Sequence, residues 1–164
     1  STRKESSAAS DVYKRQGLVE AHCHLGLVGD SVGIENEDIN ERSGAISPEL
    51  RAIDAIDPMD KVFEEAYQGG ITSVGTGPGS GNVLGGQFAA IKTCGKRIDS
   101  MIIKAPVAMK CAFGENPKRF YGTTKNKPTT RMAIAAMLRE ILMRAREYML
   151  KKEHAKENKC IEKK

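Results

Sequence analysis

Apolar and polar positions divide the chain into short segments of different type. Residues 17–24 start as an apolar run and end in polar residues, which predicts a buried strand. Residues 25–50 are rich in Gly, Asp, Asn and Ser and have no period, so we expect a long functional loop there. Further apolar runs predict strands at 71–74, 88–93, 101–105 and 107–113.

Two segments have the apolar spacing of a helix. Asp57-Pro58 suits a helix start, because Asp is a good N-cap and Pro fits the first turn. The apolar stripe after it stops at Gly69-Gly70, where we expect the helix to end. A second helix is expected from a cap at Thr129 or Thr130 to about Leu150. The order of strands and helices predicts an α/β fold with a parallel sheet.

Composition excludes several classes of protein. Apolar residues make up 40% of the 164 positions, which is typical of a globular chain. No apolar run approaches the ~18 residues of a membrane helix, so no membrane partner is expected. Four Cys without a CxxC pair, and a polar N-terminus, favour a cytoplasmic protein.

The net charge of +5 is located at the two ends of the chain. Residues 1–16 carry four basic and two acidic side chains, and residues 151–164 carry six Lys and three Glu. The part between them is therefore neutral, and we expect no nucleic-acid partner.

The first sixteen residues look foreign to the rest. Residues 6–16, when back-translated, resemble a transposase-type sequencing adapter read in frame. We therefore expect 1–16 to be a non-native, disordered tail that does not contribute to the fold. On this interpretation, Gly17 need not lie near a natural start.

The pair His22 and His24 is the clearest chemical signal. Residues two apart on a strand point to the same side, so two imidazoles at a strand end can bind one divalent metal ion. The alternative to a metal site is that the two histidines have this spacing by chance and bind nothing. The long glycine-bearing loop that follows favours the metal hypothesis.

The sequence Gly17–Gly26, GLVEAHCHLG, resembles the first-strand signature of the amidohydrolase superfamily. Together with GGITSV at 69–74, it is similar to the branch of imidazolonepropionase and related amidohydrolases, and the resemblance covers nearly all of 17–150. Glu20 departs from the family, which more often has Asp or Asn there. The resemblance implies an α/β fold, an incomplete (β/α)8 TIM-type barrel with the first three to four strands only, over 17–150. Residues 151–164 are then a charged, solvated tail before the next strand.

The resemblance also implies an activity. The chain would be a fragment of a metal-dependent amidohydrolase that hydrolyses an amide, lactam or imidazolone-like C–N bond of a small molecule. A metal-activated water, with zinc as the expected ion, would attack the carbon. The complete parent would be the enzyme, its remaining catalytic residues would lie in the missing C-terminal half, and the chain alone would be inactive.

The same resemblance assigns metal ligands. His22 and His24 would be the first two. Some amidohydrolases use a carboxylate at the end of strand three, for which Glu115 is the candidate. Others use a carboxylated lysine after strand four, and Lys110 is less suited because its placement does not fit that strand.

Alternatives of other classes stay open. One is a non-catalytic metal-binding or interaction fragment, and another is a nucleotide-binding α/β module that uses the glycine-rich loop Gly75–Gly86. That loop matches neither GxGxxG nor the P-loop pattern, and a strand is expected after it. Free thiols are the default for Cys23, Cys94 and Cys111, although a structural zinc site is a further alternative.

Overall fold

The computed structural model describes residues 16–29, 37–122 and 128–161, with side chains up to residue 156. The expected adapter-derived tail lies, except for Gln16, outside the described residues. The elements, in chain order, are β1 (Leu18–Cys23), a 3-10 turn (Ala52–Asp54), α1 (Lys61–Gln68), β2 (Ile71–Thr76), β3 (Leu84–Lys92), α2 (Ile98–Met101), β4 (Ile102–Cys111), α3 (Glu115–Gly122) and α4 (Arg131–Ile161). The fold is mixed α/β.

The four strands form one sheet in the order β1-β2-β3-β4. Strands β1 and β2 are parallel, whereas β2 with β3 and β3 with β4 are antiparallel. The prediction of a parallel sheet is thus confirmed for the first pair and wrong for the other two. The segment 77–83 between β2 and β3 is too short for a crossover helix, so the chain turns straight back. Since β3 alone runs the other way, the carboxyl ends of β1, β2 and β4 lie at one edge of the sheet.

Elements β4 and α1 have other boundaries than the sequence predicts. The segments 101–105 and 107–113 do not form separate strands, because β4 runs continuously from Ile102 to Cys111. Helix α1 is capped by Asp60, whose carboxylate accepts from the Val62 N–H, and not by Asp57. The helix ends at Gly69-Gly70 as predicted, and Gly70 has a positive φ of 86°.

Helix α4 begins as predicted and extends further. The hydroxyl of Thr130 accepts a hydrogen bond from the Ala133 N–H at 3.1 Å, which confirms the cap. The helix does not end near residue 150 but continues to Ile161. Lys and Glu are good helix formers even where no apolar face requires them, and residues 151–156 are exposed.

Two apolar clusters hold the sheet and its loops together. The larger cluster lies against the sheet, and its buried members include Phe63, Val74, Ile91 and Met101. The smaller joins the segment between β1 and the 3-10 turn, the loop before β3 and the last two helices through Ala45, Val83, Tyr121 and Ile134. Among the described residues, no helix is both long and apolar enough to cross a membrane.

A buried polar cluster accompanies the smaller core. The Asn82 side-chain amide donates to the carbonyl oxygens of Glu41 and Gly44, both at 2.8 Å. The Tyr121 hydroxyl reaches the same two carbonyls at 2.8 and 2.7 Å and lies 2.8 Å from the Asn82 amide nitrogen. This cluster fixes α3 and the loop that precedes β3 to the segment between β1 and the 3-10 turn.

Candidate metal centre

Strand β1 places the two histidines at the end of the sheet where the carboxyl ends of β1, β2 and β4 lie. His22 is in the strand and His24 follows its last residue. The two imidazole centroids are 5.3 Å apart, and the rings meet edge to face at 79°. The structure therefore brings together the two side chains that the HxH spacing singled out.

His24 is oriented by the backbone of the glycine-rich loop. Its Nδ1 lies 2.6 Å from the Gly77 carbonyl oxygen. Since a carbonyl only accepts hydrogen bonds, this contact places the imidazole proton on Nδ1 and leaves the lone pair of Nε2 available. A side chain at position 77 would collide with the Phe88 ring, so glycine is needed for this approach.

His22 is sandwiched between an aromatic ring and a lysine. Its imidazole stacks on Phe88 with a centroid distance of 5.3 Å and an interplanar angle of 28°. The Nζ of Lys110 lies 3.1 Å from His22 Nε2 and 5.8 Å from the Phe88 ring centroid. The imidazole thus faces a positive charge at the nitrogen that points away from its own backbone.

Lys110 is the member of the site that sequence reasoning undervalued. From the sequence alone, its placement does not suit strand four. In the structure it is the penultimate residue of β4, at the same sheet edge as the histidines. The missed signal is the apolar character on both sides of Pro106, which one continuous strand explains.

The charge of Lys110 disfavours the protonated form of His22. It lowers the pKa of His22, burial and the neighbouring His24 lower it further, and Glu20 partly opposes them. Burial also lowers the pKa of Lys110. His22 therefore favours the neutral imidazole, which is the form that binds metal ions.

Glu115, the third ligand candidate, lies at the start of α3. Both of its carboxylate oxygens contact Lys118 Nζ, at 3.1 and 3.2 Å, and its side chain is 71% exposed. Among the described residues, no group of three or more His, Cys, Asp or Glu is placed to hold a metal ion. The structure thus does not join Glu115 to the histidine pair, and its ligand role stays a prediction.

The donor set fits a zinc ion in part. Two adjacent imidazoles, one of them held by a backbone carbonyl, are half of a tetrahedral set. The ammonium of Lys110 opposes a cation at the same place, so a metal ion would bind there only with that charge displaced or converted. Cys23 is half-buried, and burial raises the pKa of its thiol, which disfavours the thiolate that a structural zinc site needs.

The glycine-rich loop forms one wall of a cavity beside His24. The N–H of Gly79 donates to the Ile39 carbonyl, and the N–H of Gly81 donates to Asn40 Oδ1, both at 2.6 Å. These donors are therefore occupied within the protein. The loop leads into β3 and not into a helix, so it lacks the helix N-terminus of a phosphate loop.

The fold and the site define a mixed α/β module that carries a histidine pair and a lysine at the carboxyl edge of its sheet. No protein-family model matches the chain. The chain is 36% identical over 141 residues to the amidohydrolase tasK of Hapsidospora irregularis, a match that covers 79% of this chain and 14% of that protein. It is also similar to the crystal structure of an amidohydrolase from Thermotoga maritima MSB8, with a TM-score of 0.83 and 42% identity.

The second match covers 87% of this chain and 37% of the solved chain. The chain thus spans about a seventh of the one relative and little more than a third of the other. It is related over most of its own length to parts of two proteins named amidohydrolase.

Proposed function

We propose that this chain is part of a metal-dependent amidohydrolase that hydrolyses a C–N bond in a small amide, lactam or imidazolone-like substrate. The observation that carries the proposal is the pair of imidazoles at the end of β1, with His24 held by Gly77. The similarity to two proteins named amidohydrolase supports it. The finer assignment to the imidazolonepropionase branch, and the incomplete barrel, rest on the sequence resemblance.

His22 and His24 would hold the ion through their imidazole nitrogens. A bound zinc ion supplies a water molecule with a pKa of about 7 and polarises the carbonyl of the scissile bond. The Gly77 carbonyl keeps the His24 lone pair on Nε2, and the Phe88 ring restricts how far the His22 ring can turn. The contact with the Gly77 carbonyl is of the kind that orients metal-binding histidines.

Lys110, in carbamate form, is the third ligand that we propose in preference to Glu115. Its neutral amine attacks CO2, an N–C bond forms, the electron pair of one C=O bond moves onto oxygen, and a proton leaves to solvent. The ammonium that faces His22 at 3.1 Å thereby becomes an anion, which attracts a metal ion. Glu115 is instead engaged by Lys118.

Substitution of the histidines tests the metal site. In the full-length gene product, His22→Ala and His24→Ala are expected to abolish zinc retention after dialysis and the hydrolysis of a panel of amides and lactams. His154→Ala, on the exposed part of α4, is the matched control and is expected to change neither. Full zinc content and activity in His22→Ala would contradict the proposal.

The third ligand is tested separately. After incubation with ¹³C-bicarbonate and zinc, the wild type is expected to give a carbamate carbon signal that is absent in Lys110→Ala. Lys104→Ala, on the same strand, is the control and keeps the signal. Zinc loss in Glu115→Ala, with zinc retained in Lys110→Ala, would assign the ligand to Glu115.

A further inference from the structure

A cavity of about 400 Å³ opens beside His24, away from Lys110. The glycine-rich loop forms one side of it, and helix α3 forms the other. Its polar lining consists of Asn40, Ser80, Asn116 and Arg119, next to His24. Because a ligand in this cavity would lie against the histidine pair, its walls are placed to select the substrate.

The hydrogen-bonding groups of this lining are mostly donors. Asn40 uses its oxygen to accept from the Gly81 N–H at 2.6 Å, which leaves its amide N–H groups for another partner. Ser80 accepts from Asn116 at 2.7 Å through its hydroxyl oxygen, which leaves its own proton to donate. Arg119 adds a guanidinium with five N–H groups. A ligand that only accepts hydrogen bonds suits this set.

The charge of the lining is positive and not neutralised. Arg119 is the charged side chain of the cavity wall, and none of the described residues that line the cavity is acidic. The nearest acid on the same helix, Glu115, pairs with Lys118. Within the described residues, no ion pair links Arg119 to a carboxylate, whereas Arg42, Arg51 and Arg144 each have one.

The wall that carries Arg119 is firmly held. Two residues further along α3, the hydroxyl of the buried Tyr121 lies within hydrogen-bond distance of the Glu41 and Gly44 carbonyl oxygens, in the segment between β1 and the 3-10 turn. Pro117, two residues before Arg119, is buried as well. The guanidinium therefore extends from a fixed backbone, which is what a specificity residue needs.

We propose that this cavity binds a carboxylate of the substrate, with Arg119 as its counter-charge, so that the amide to be hydrolysed belongs to an anionic molecule such as an N-acyl amino acid. The planar fork of arginine matches a carboxylate in two parallel hydrogen bonds. The identification of the bound molecule as a substrate rests on the proposed function. The preference for a carboxylate does not depend on hydrolysis.

Two probes of equal shape and different charge test the proposal. N-acetylglycine carries the carboxylate, and N-acetylglycinamide replaces it with a neutral amide. Titration of the ¹⁵N-labelled chain is expected to show saturable binding of N-acetylglycine, with shifts of the amide resonances of Gly79 and Gly81. N-acetylglycinamide is expected to bind at least about tenfold more weakly.

Variants assign the preference to the residue. Arg119→Gln is expected to weaken N-acetylglycine binding by about tenfold or more and to leave N-acetylglycinamide unchanged. Arg97→Gln is the matched control, because Arg97 is an exposed arginine that lines none of the described cavities, and it is expected to bind like the wild type. Both side chains are exposed, so neither change is expected to affect folding.

Three results would overturn the proposal: equal binding of the two probes, no saturable binding of either, or an Arg119→Gln variant that binds N-acetylglycine as the wild type does. Tighter binding of inorganic phosphate than of N-acetylglycine would also overturn it. Zinc content of the full-length gene product tests the proposed function apart from this one. A preference of the chain for the carboxylate, together with a full-length product that retains no zinc, would refute the metal site and leave the anion pocket standing.

Discussion

Two polar clusters in this protein gather side chains from distant parts of the chain, and they use their hydrogen-bonding groups in opposite ways. In the first, the Asn82 amide and the Tyr121 hydroxyl are buried and meet two backbone carbonyls. In the second, His22 is exposed, and Lys110 faces it with a charge that makes protonation unfavourable. The donors of the first cluster form hydrogen bonds to backbone carbonyls, which fixes a loop. The second cluster leaves the His24 lone pair free for a ligand.

This contrast predicts where substitutions cost stability. Asn82→Asp preserves shape but aims a carboxylate oxygen at the carbonyls of Glu41 and Gly44, where an N–H donor now lies. We expect the free energy of unfolding to fall by about 3–5 kcal/mol, because the variant buries an unpaired charge. Urea unfolding followed by circular dichroism measures it.

Asn116→Asp is the matched control, since Asn116 is an exposed asparagine on α3. Its effect is expected to stay within about 0.5 kcal/mol. A loss below about 1 kcal/mol in Asn82→Asp would mean that the buried cluster does not hold the loop as the hydrogen bonds indicate.

Tyr121→Phe removes one donor and leaves the Asn82 amide in place. The expected loss is about 1 kcal/mol, the typical net value of one hydrogen bond. Tyr148→Phe, at an exposed position of α4, is the control and is expected to change stability by less than about 0.5 kcal/mol. Equal effects of the two changes in urea unfolding would argue against a structural role for the Tyr121 hydroxyl.

The Tyr121 hydroxyl also makes the stability of the fold depend on pH. Burial, and then the charge of Glu41, raise the pKa of Tyr121 from 10.0 to about 12. Because the folded state holds this proton more tightly than the unfolded state, the stability from Tyr121 is present below the unfolded pKa and is lost as pH rises through about 12. Tyrosinate absorbance during an alkaline titration is expected to show a late step that disappears in Tyr121→Phe.

His22→Ala is expected to leave the free energy of unfolding almost unchanged, in contrast to Asn82→Asp. The side chain is exposed, and its contacts with Phe88 and Lys110 lie on the surface. We expect a change within about 0.5 kcal/mol in urea unfolding, although the same variant is expected to lose zinc. A loss of several kcal/mol would place His22 among the structural residues.

Sequence patterns predicted the parts of the molecule that depend on local chemistry. The position of β1, the helix end at Gly69-Gly70 and the Thr130 cap each follow from a few adjacent residues. The predicted burial of β1 is wrong, because five of its six residues are exposed in the structure. The antiparallel course of β3 and β4 was not predicted, because it follows from a short connection and from pairing between distant residues.

The candidate site likewise contains residues whose proximity the sequence predicted and residues whose proximity it did not. His22 and His24 are two positions apart, so their common side follows from strand geometry. Lys110 is 88 positions from His22 and meets it through two antiparallel pairings that the sequence did not disclose. The cavity with Arg119 also depends on how α3 packs, to which the buried Tyr121 contributes through contacts with residues distant in the sequence.

The smallest expected effect concerns the charge that Lys110 exerts on His22. Removing it in Lys110→Met is expected to raise the pKa of His22, because the lysine charge is the largest cause of its lowering. A lowered histidine pKa contributes stability above the unfolded pKa, and that stability is lost as pH falls through the folded pKa. Lys110→Met is therefore expected to reduce the loss of stability on acidification. Imidazole ¹⁵N resonances in metal-free chain report the titration, and Lys104→Met, on the same strand, is expected to leave the His22 pKa unchanged. A His22 pKa that stays low in Lys110→Met would assign the shift to burial and His24, and Lys110 would then lose its place in the second cluster.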